Sequence, residues 1–315
     1  MSDTEHRSRG TVVIAGGSGY LGQVLARHFT RFARPVVILT RRPQEPNAFA
    51  RFVQWDGQTI GPWTRELENA DAVINLSGRS VNCRYNEQNR KEIYESRLRP
   101  THVLGQAIIV CANPPKVWLN ASSATIYKHS IDQPMDERSG EIGEGFSVDV
   151  CQQWEKTMFD FPLKFTRTVA LRLTIVFGRG GAAFQTFQRV VKLGLGGKMG
   201  PGTQYMSWIH EDDFARAVDW VIEHEVLKGP VNLASPNPLP NREFMRVFRK
   251  VCRRPIGLPA PTWMLGLGTR LLGTESELVL KSRRVVPGHL QSTGFQFKFP
   301  KWPEALQNIV RGPAS

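Results

Sequence analysis

The chain has 315 residues, 41% of them hydrophobic, which is enough for one large α/β core plus an appendage. Its 41 basic and 28 acidic residues leave a net +13, but the cations read as dispersed and carry no RNA-binding signature, so nucleic acid is not an expected partner. The expectation is a soluble cytoplasmic protein with no membrane partner and no metal, because no apolar run could span a bilayer, no secretory-type segment opens the chain, and Cys83, Cys111, Cys151 and Cys252 lack metal-knuckle or redox spacing.

In chain order, "TVVIA" (11–15) predicts a strand, and the turn "GGSGYLG" follows at once. Tyr20, Leu21, Val24, Leu25, His28, Phe29 and Phe32 then recur at helical spacing, and "PVVIL" (35–39) closes a βαβ unit. "AVINL" (72–76) and "KVWLN" (116–120) are further buried strands, with one long helix over 86–109 between them that contains Pro100. "GFSVDVCQQWE" begins another helix, and "RTVALRL" (167–173) is a strand. The alternation predicts an α/β fold with a Rossmann-type, doubly wound parallel sheet. Beyond Val176, glycine-rich loops surround a helix near 182–193. The amphipathic "EDDFARAVDWVIEH" begins with acids, as a helix N-terminus should, and "VNLAS" is a last strand. Residues 10–235 are therefore expected to form the nucleotide-binding domain, with a loop insertion at about 178–210. Residues 236–315 would form a smaller, mainly helical domain over the substrate cleft.

Gly16, Gly19 and Gly22 stand three apart between a strand and a helix. In that context one glycine makes a tight turn, one lets the backbone approach a pyrophosphate, and one lets helix and strand pack closely. Gly16, Ser18, Gly19, Tyr20, Leu21 and Gly22 are thus candidate cofactor contacts. An NAD-binding chain usually has an acid at the end of the second strand, for the ribose hydroxyls. This one has Thr40, Arg41 and Arg42. Guanidinium groups there suit a 2′-phosphate, so the expected cofactor is NADP(H).

The glycine turn, "INLSG" (74–78) and "SSATIY" (122–127) together resemble the extended short-chain dehydrogenase/reductase superfamily. "YNEQNRKEIYESRL", "IVFGRGG", "LGLGGKMGPGTQYMSWIHEDD" and "TGFQFKFP" narrow the resemblance to the YfcH-like epimerase family, whose C-terminal domain has no assigned role. The likeness covers nearly the whole chain, from about Val12 to Leu306. It implies an NADP-binding Rossmann domain, with Thr40 and Arg41 at the adenosine phosphate and Leu76 and Ser77 beside the cofactor. It also implies that Glu92 and Arg97 reach the nucleotide and that Val176 lies near the nicotinamide. Gly78 and Ser122 flank these positions and complete the candidate set.

In that superfamily a tyrosine moves the proton while hydride moves to or from nicotinamide, and a lysine one helical turn later lowers the phenol's pKa. Tyr127 has Ile131 four residues on, and Lys128 beside it points elsewhere. The pair's expected place, counted back from Glu155, holds Ser147 and Cys151. The family resemblance implies that relatives generally lack the pair too. Ser123 matches the superfamily's hydrogen-bonding serine. Tyr127 and His210 remain as catalytic candidates, and Lys198, in a glycine-rich loop, as a substrate contact. His210 could equally be a structural hydrogen-bonding residue. Two functions stay open: an oxidoreductase or epimerase acting on a small molecule with a non-standard acid/base, and a non-catalytic NADPH-binding sensor or assembly protein, as a monomer or homodimer.

Overall fold

The computed structural model describes residues 10–42, 44–262 and 281–312. The helical expectation for 263–280 and the polar start of the chain lie outside these residues. The sheet is built from β1 (Val12–Ala15), β2 (Val36–Thr40), β3 (Arg51–Gln54), β4 (Ala72–Asn75), β5 (Val117–Ser123), β6 (Arg167–Leu173) and β10 (Gly229–Leu233). These seven strands are all parallel, in the order β3-β2-β1-β4-β5-β6-β10. Successive strands move outward from β1 in one direction and then from β4 in the other. The switch point lies between β1 and β4, where an open α/β sheet places its ligand crevice.

The central strands are runs of valine, isoleucine and leucine because helices cover both faces. Val12 and Ile14 point to one side, with α1 (Tyr20–Arg31) and α5 (Glu211–Glu223). Val13 and Ala15 point to the other, with α2 (Glu87–Val110) and α3 (Phe146–Phe159). The strand β3 was not foreseen. Its sequence "RFVQ" has exposed ends and no buried run, as befits a charged edge strand whose pairing comes from β2 rather than from its own burial.

A second core belongs to the C-terminal part. Phe244, Met245 and Phe248 of α6 (Asn241–Val251) and Trp302, Leu306 and Ile309 of α8 (Trp302–Arg311) form part of it. Phe177 of β7 (Ile175–Phe177), Phe184 and Val191 of α4 (Ala182–Lys192), Met206 of β8 (Tyr205–Met206) and Trp208 of β9 (Trp208–His210) complete it. Phe244 stacks on Trp302 at 4.2 Å between centroids, and Phe184 on Phe248 at 5.9 Å. The segment anticipated as a loop insertion is therefore part of the second lobe's core. The short β11 (Leu239–Pro240) pairs with β8, and α7 (Gly288–Ser292) packs against β10.

Candidate nucleotide-binding site

Each glycine of the turn has a distinct local reason. Gly16 has φ +70°, and a Cβ there would lie 2.9 Å from the backbone and Oγ of Ser77. At Gly22 a Cβ would meet the carbonyl oxygen of Gly17 at 2.2 Å, so α1 can close on the turn only without a side chain. At Gly19 a Cβ would meet nothing within 4 Å. That one position opens outward, and Gly19 with its neighbour Ser18 is exposed. Gly19 is also the N-cap of α1, with no side-chain cap and no acid in the first turn. The free N–H groups and positive end of the helix dipole therefore face open space that suits a phosphate.

The end of β4 forms the other wall. Asn75 Nδ2 donates to Asn120 Oδ1 at 2.7 Å and to Thr101 Oγ1 at 3.1 Å, and Asn75 Oδ1 accepts the backbone N–H of Ser77 at 3.0 Å. This network fixes Leu76, Ser77 and Gly78 over the switch point. The Ser77 Oγ is buried with no hydrogen-bond partner among the described residues, so its donor and acceptor capacity is unused by the protein they form. At the end of β2, Thr40 is buried and its Oγ1 accepts the N–H of Arg42 at 3.3 Å. Arg41 and Arg42 are exposed, with no acid beside them at the strand end. An open Gly19, an unused Ser77 hydroxyl and two solvent-facing guanidinium groups fit a phosphorylated dinucleotide.

The other candidates divide. Leu21 is half-buried on α1. Tyr20 donates its hydroxyl to Glu211 Oε2 at 2.8 Å, and a Cβ at Gly178 would touch both side chains. Burial and the Glu211 charge raise its pKa well above the ordinary phenol value, so it is a fixed donor that ties the turn to α5. Sequence reasoning missed Glu211, which is visible only once the fold brings residue 20 to residue 211. Arg97 is nine-tenths buried, donating from Nη1 to the Ile93 carbonyl at 3.0 Å and from Nη2 to the Arg79 carbonyl at 3.1 Å. Its guanidinium lies over Trp154 and within 3.4 Å of where a Gly78 Cβ would be. Burial holds its pKa below the usual arginine value. Glu92 pairs with Arg79 rather than with Arg97, so together they strap the segment after β4 to α2. Val176 is buried on β7, opposite Ile209.

Four sequence candidates need correction. Tyr127 is fully buried: its hydroxyl donates to Asn232 Oδ1 and accepts from Arg172 Nη1, each at 2.9 Å. Burial raises its pKa, although Arg172 pulls the other way. It is packed in a core with Ile126, Met135 and Val148, and its hydroxyl is held by Asn232 and Arg172. Ser122 donates its hydroxyl to Glu155 Oε1 at 2.6 Å inside the same network and has no free face for a nucleotide. His210 is 2% exposed and caps α5: Nδ1 accepts the N–H of Asp212 at 3.0 Å, leaving Nε2 to donate to Asn308 on α8 at 3.2 Å. Lys198 lines a separate groove of about 380 Å³ with Arg242, Arg246 and Arg249, which includes no residue of the glycine turn. Ser123 is half-buried at the end of β5, where its hydroxyl donates to Thr125 Oγ1 at 2.9 Å and accepts the Thr125 N–H at 3.1 Å. In the usual pair's place, Ser147 Oγ lies 3.4 Å from the Tyr85 hydroxyl, and burial pushes the Cys151 thiol up to about 12.

His210 makes a measurable pH signature. Burial lowers its pKa from 6.5 to about 4. Between those values the unfolded chain binds a proton that the folded chain refuses. Stability is therefore complete above pH 6.5 and declines as the pH falls toward 4. The full difference is on the order of 3 kcal/mol at 1.36 kcal/mol per pH unit. Urea unfolding at pH 7 and pH 4.5 should show a shallower decline for His210→Asn, which keeps a capping side chain but cannot titrate. Parallel declines would remove His210 from this role.

Comparison with known proteins agrees with the geometry. Residues 12–234 match the NAD dependent epimerase/dehydratase family, and residues 260–309 match a domain of unknown function, DUF1731. Epimerase family protein YfhF of Bacillus subtilis (strain 168) is 31% identical over 300 residues, covering 95% of this chain and 97% of that protein. Epimerase family protein SAR0825 of Staphylococcus aureus (strain MRSA252) is 32% identical over 301 residues, covering 95% and 98%. Among solved structures, human epimerase family protein SDR39U1 with NADPH superposes with a TM-score of 0.85 at 28% identity, covering 96% of this chain and 99% of that one. MoeE5 in complex with UDP-glucuronic acid and NAD, at 18% identity and a TM-score of 0.75, shares the fold over 96% of this chain and 98% of its own. With this turn, this strand order and these matches, the chain belongs to the NAD dependent epimerase/dehydratase family of extended short-chain dehydrogenases/reductases and carries a C-terminal DUF1731 domain.

Proposed function

We propose that the protein is an NADP(H)-binding oxidoreductase or epimerase-type enzyme acting on a small substrate without a tyrosine–lysine pair. The observation that carries this reading is the cradle around Gly19: open at that glycine, closed at Gly22, and flanked by the unpartnered Ser77 hydroxyl. A nicotinamide nucleotide held there supplies or accepts hydride. The chain's own residues do the rest. The N-terminus of α1 binds the pyrophosphate, Arg41 and Arg42 bind a 2′-phosphate, and Ser123 offers a hydroxyl to a substrate oxygen. With Tyr127 and His210 locked in the core, the proton comes from solvent rather than from a tuned phenol, which makes turnover slow at neutral pH.

The burial of Tyr127 and His210 and the residues Ser147 and Cys151 favour a second reading, in which the protein holds NADPH as a sensor without turnover. The test is to load the protein with NADPH, offer carbonyl compounds and sugar nucleotides, and follow NADPH absorbance. The enzyme reading expects slow consumption that stays within about threefold in Tyr127→Phe, since that hydroxyl never meets substrate. Consumption abolished in a Tyr127→Phe protein that still binds NADPH would return the tyrosine to the mechanism. No consumption across the panel, with tight NADPH binding, selects the sensor.

A further inference from the structure

The basic residues look dispersed along the sequence, but the fold gathers them. The segment 182–202 has Arg189, Lys192 and Lys198 and no acid. The segment 241–262 has Arg242, Arg246, Arg249, Lys250, Arg253 and Arg254 against the single acid Glu243. Nine cations against one carboxylate give these 43 residues a net +8 of the chain's +13. Glu243 is itself held by Arg246. The two segments are neighbours in space, because Phe184 and Phe187 of α4 stack on Phe248 of α6. Their apolar faces are buried together, which turns the charged faces outward.

Large aliphatic side chains are exposed on the loops that follow these two helices. Leu193 is 74% exposed, Leu195 43%, Ile256 71% and Leu258 58%. They sit on two loops that run side by side: the N–H of Leu258 donates to the Gly194 carbonyl at 2.8 Å, and the N–H of Gly197 donates to the Leu258 carbonyl at 3.1 Å. Arg249 is wedged between the loops, donating to the Gly196 carbonyl at 2.6 Å. The groove lined by Lys198, Arg242, Arg246 and Arg249, with Glu243 as its one acid, opens beside them.

We propose that this face, made of α4, α6 and the loops after them, docks on a membrane surface rich in anionic lipid. Aliphatic tips ringed by cations match such a surface in both its hydrocarbon and its charge. Each exposed aliphatic gains by entering the acyl boundary, and each cation gains beside the anionic headgroups. Single-stranded RNA fits less well. Its bases want exposed aromatic platforms, and the exposed phenylalanines Phe32, Phe49, Phe159 and Phe165 all lie outside these segments. This departs from the sequence expectation of no membrane partner, which took the basic residues as a dispersed, solvated surface. Docking needs no spanning segment, and no helix among the described residues is long and apolar enough to cross a bilayer.

The test is flotation of the full chain with phosphatidylglycerol vesicles and with neutral phosphatidylcholine vesicles, at low and at physiological salt. The proposal expects binding to phosphatidylglycerol only, weakened by salt. It expects at least a tenfold loss in Leu193→Ser/Ile256→Ser and in Arg253→Glu/Arg254→Glu, with NADPH affinity unchanged in both as a check on folding. Equal binding to both lipids, no binding to phosphatidylglycerol, or unchanged binding in both variants would overturn it. Tighter binding to an RNA oligonucleotide than to the vesicles, indifferent to the aliphatic variant, would overturn it in favour of nucleic acid.

Discussion

Gly19→Val is expected to remove nucleotide binding while leaving a folded protein. Gly19 has φ −78° and ψ 177°, a conformation valine adopts readily, and its Cβ would meet no atom within 4 Å. It makes no side-chain cap that substitution could lose, so the cost to folding is about 1 kcal/mol or less. The branched side chain instead fills the space a pyrophosphate needs over the first turn of α1. The loss should exceed 100-fold in affinity, or about 2.8 kcal/mol. Gly22→Ala is the informative contrast. A single methyl there would stand 2.2 Å from the Gly17 carbonyl oxygen, so this variant should be damaged in folding itself. Circular dichroism and thermal melts report on the fold, and NADPH titration on binding. A Gly19→Val protein that binds NADPH normally would mean that the turn holds no ligand.

The largest expected loss of stability comes from Glu155→Ala. Glu155 accepts from Arg172 Nε and Nη2, both at 2.9 Å, and from Ser122 Oγ at 2.6 Å, all in the interior between β5, β6 and α3. Burial opposes the guanidinium charge, but the Glu155 hydrogen bonds and charge hold the Arg172 pKa above its usual value. Arg172 passes the connection to Tyr127, Tyr127 to Asn232, and Asn232 to the Val286 carbonyl at 2.9 Å in the C-terminal part. Removing the carboxylate leaves a buried cation with no counter-charge, at a cost of about 3–5 kcal/mol. Against a total of roughly 5–15 kcal/mol that is a severe defect. Glu155→Gln keeps the shape and one acceptor, and should lose less. Urea midpoints of the three proteins measure the effect. A change below about 1 kcal/mol in Glu155→Ala would show that water or a rearranged partner reaches Arg172.

The parts legible in the sequence were those written in local pattern. The buried strand runs, the glycine triplet and the acid-led start of α5 each depend on neighbours in the chain, and each stands where its spacing put it. The strand β3 was missed because its pairing is supplied by another strand. Tyr127 and His210 looked chemical because their residue types are. What decides their role is Asn232, 105 positions later, and Asn308, 98 positions later, which no local spacing reveals. The pairing of Arg172 with Glu155 went unseen for the same reason: a buried ion pair is two ordinary letters until a sheet and a helix meet. The dispersed cations are the same lesson on the surface, since the packing of α4 on α6 gathers them.

If Arg41 and Arg42 take the 2′-phosphate of a dinucleotide held at the glycine turn, the protein distinguishes NADPH from NADH. Isothermal titration of NADPH and NADH into the same protein tests it most directly. Charge-assisted hydrogen bonds contribute roughly 1.5–3 kcal/mol each, so even one such contact from solvent-facing Arg41 or Arg42 corresponds to about tenfold. NADPH should bind at least tenfold tighter than NADH, with the gap narrowed in Arg41→Ala by weaker NADPH binding alone. Equal affinities for the two nucleotides in the parent protein would contradict it.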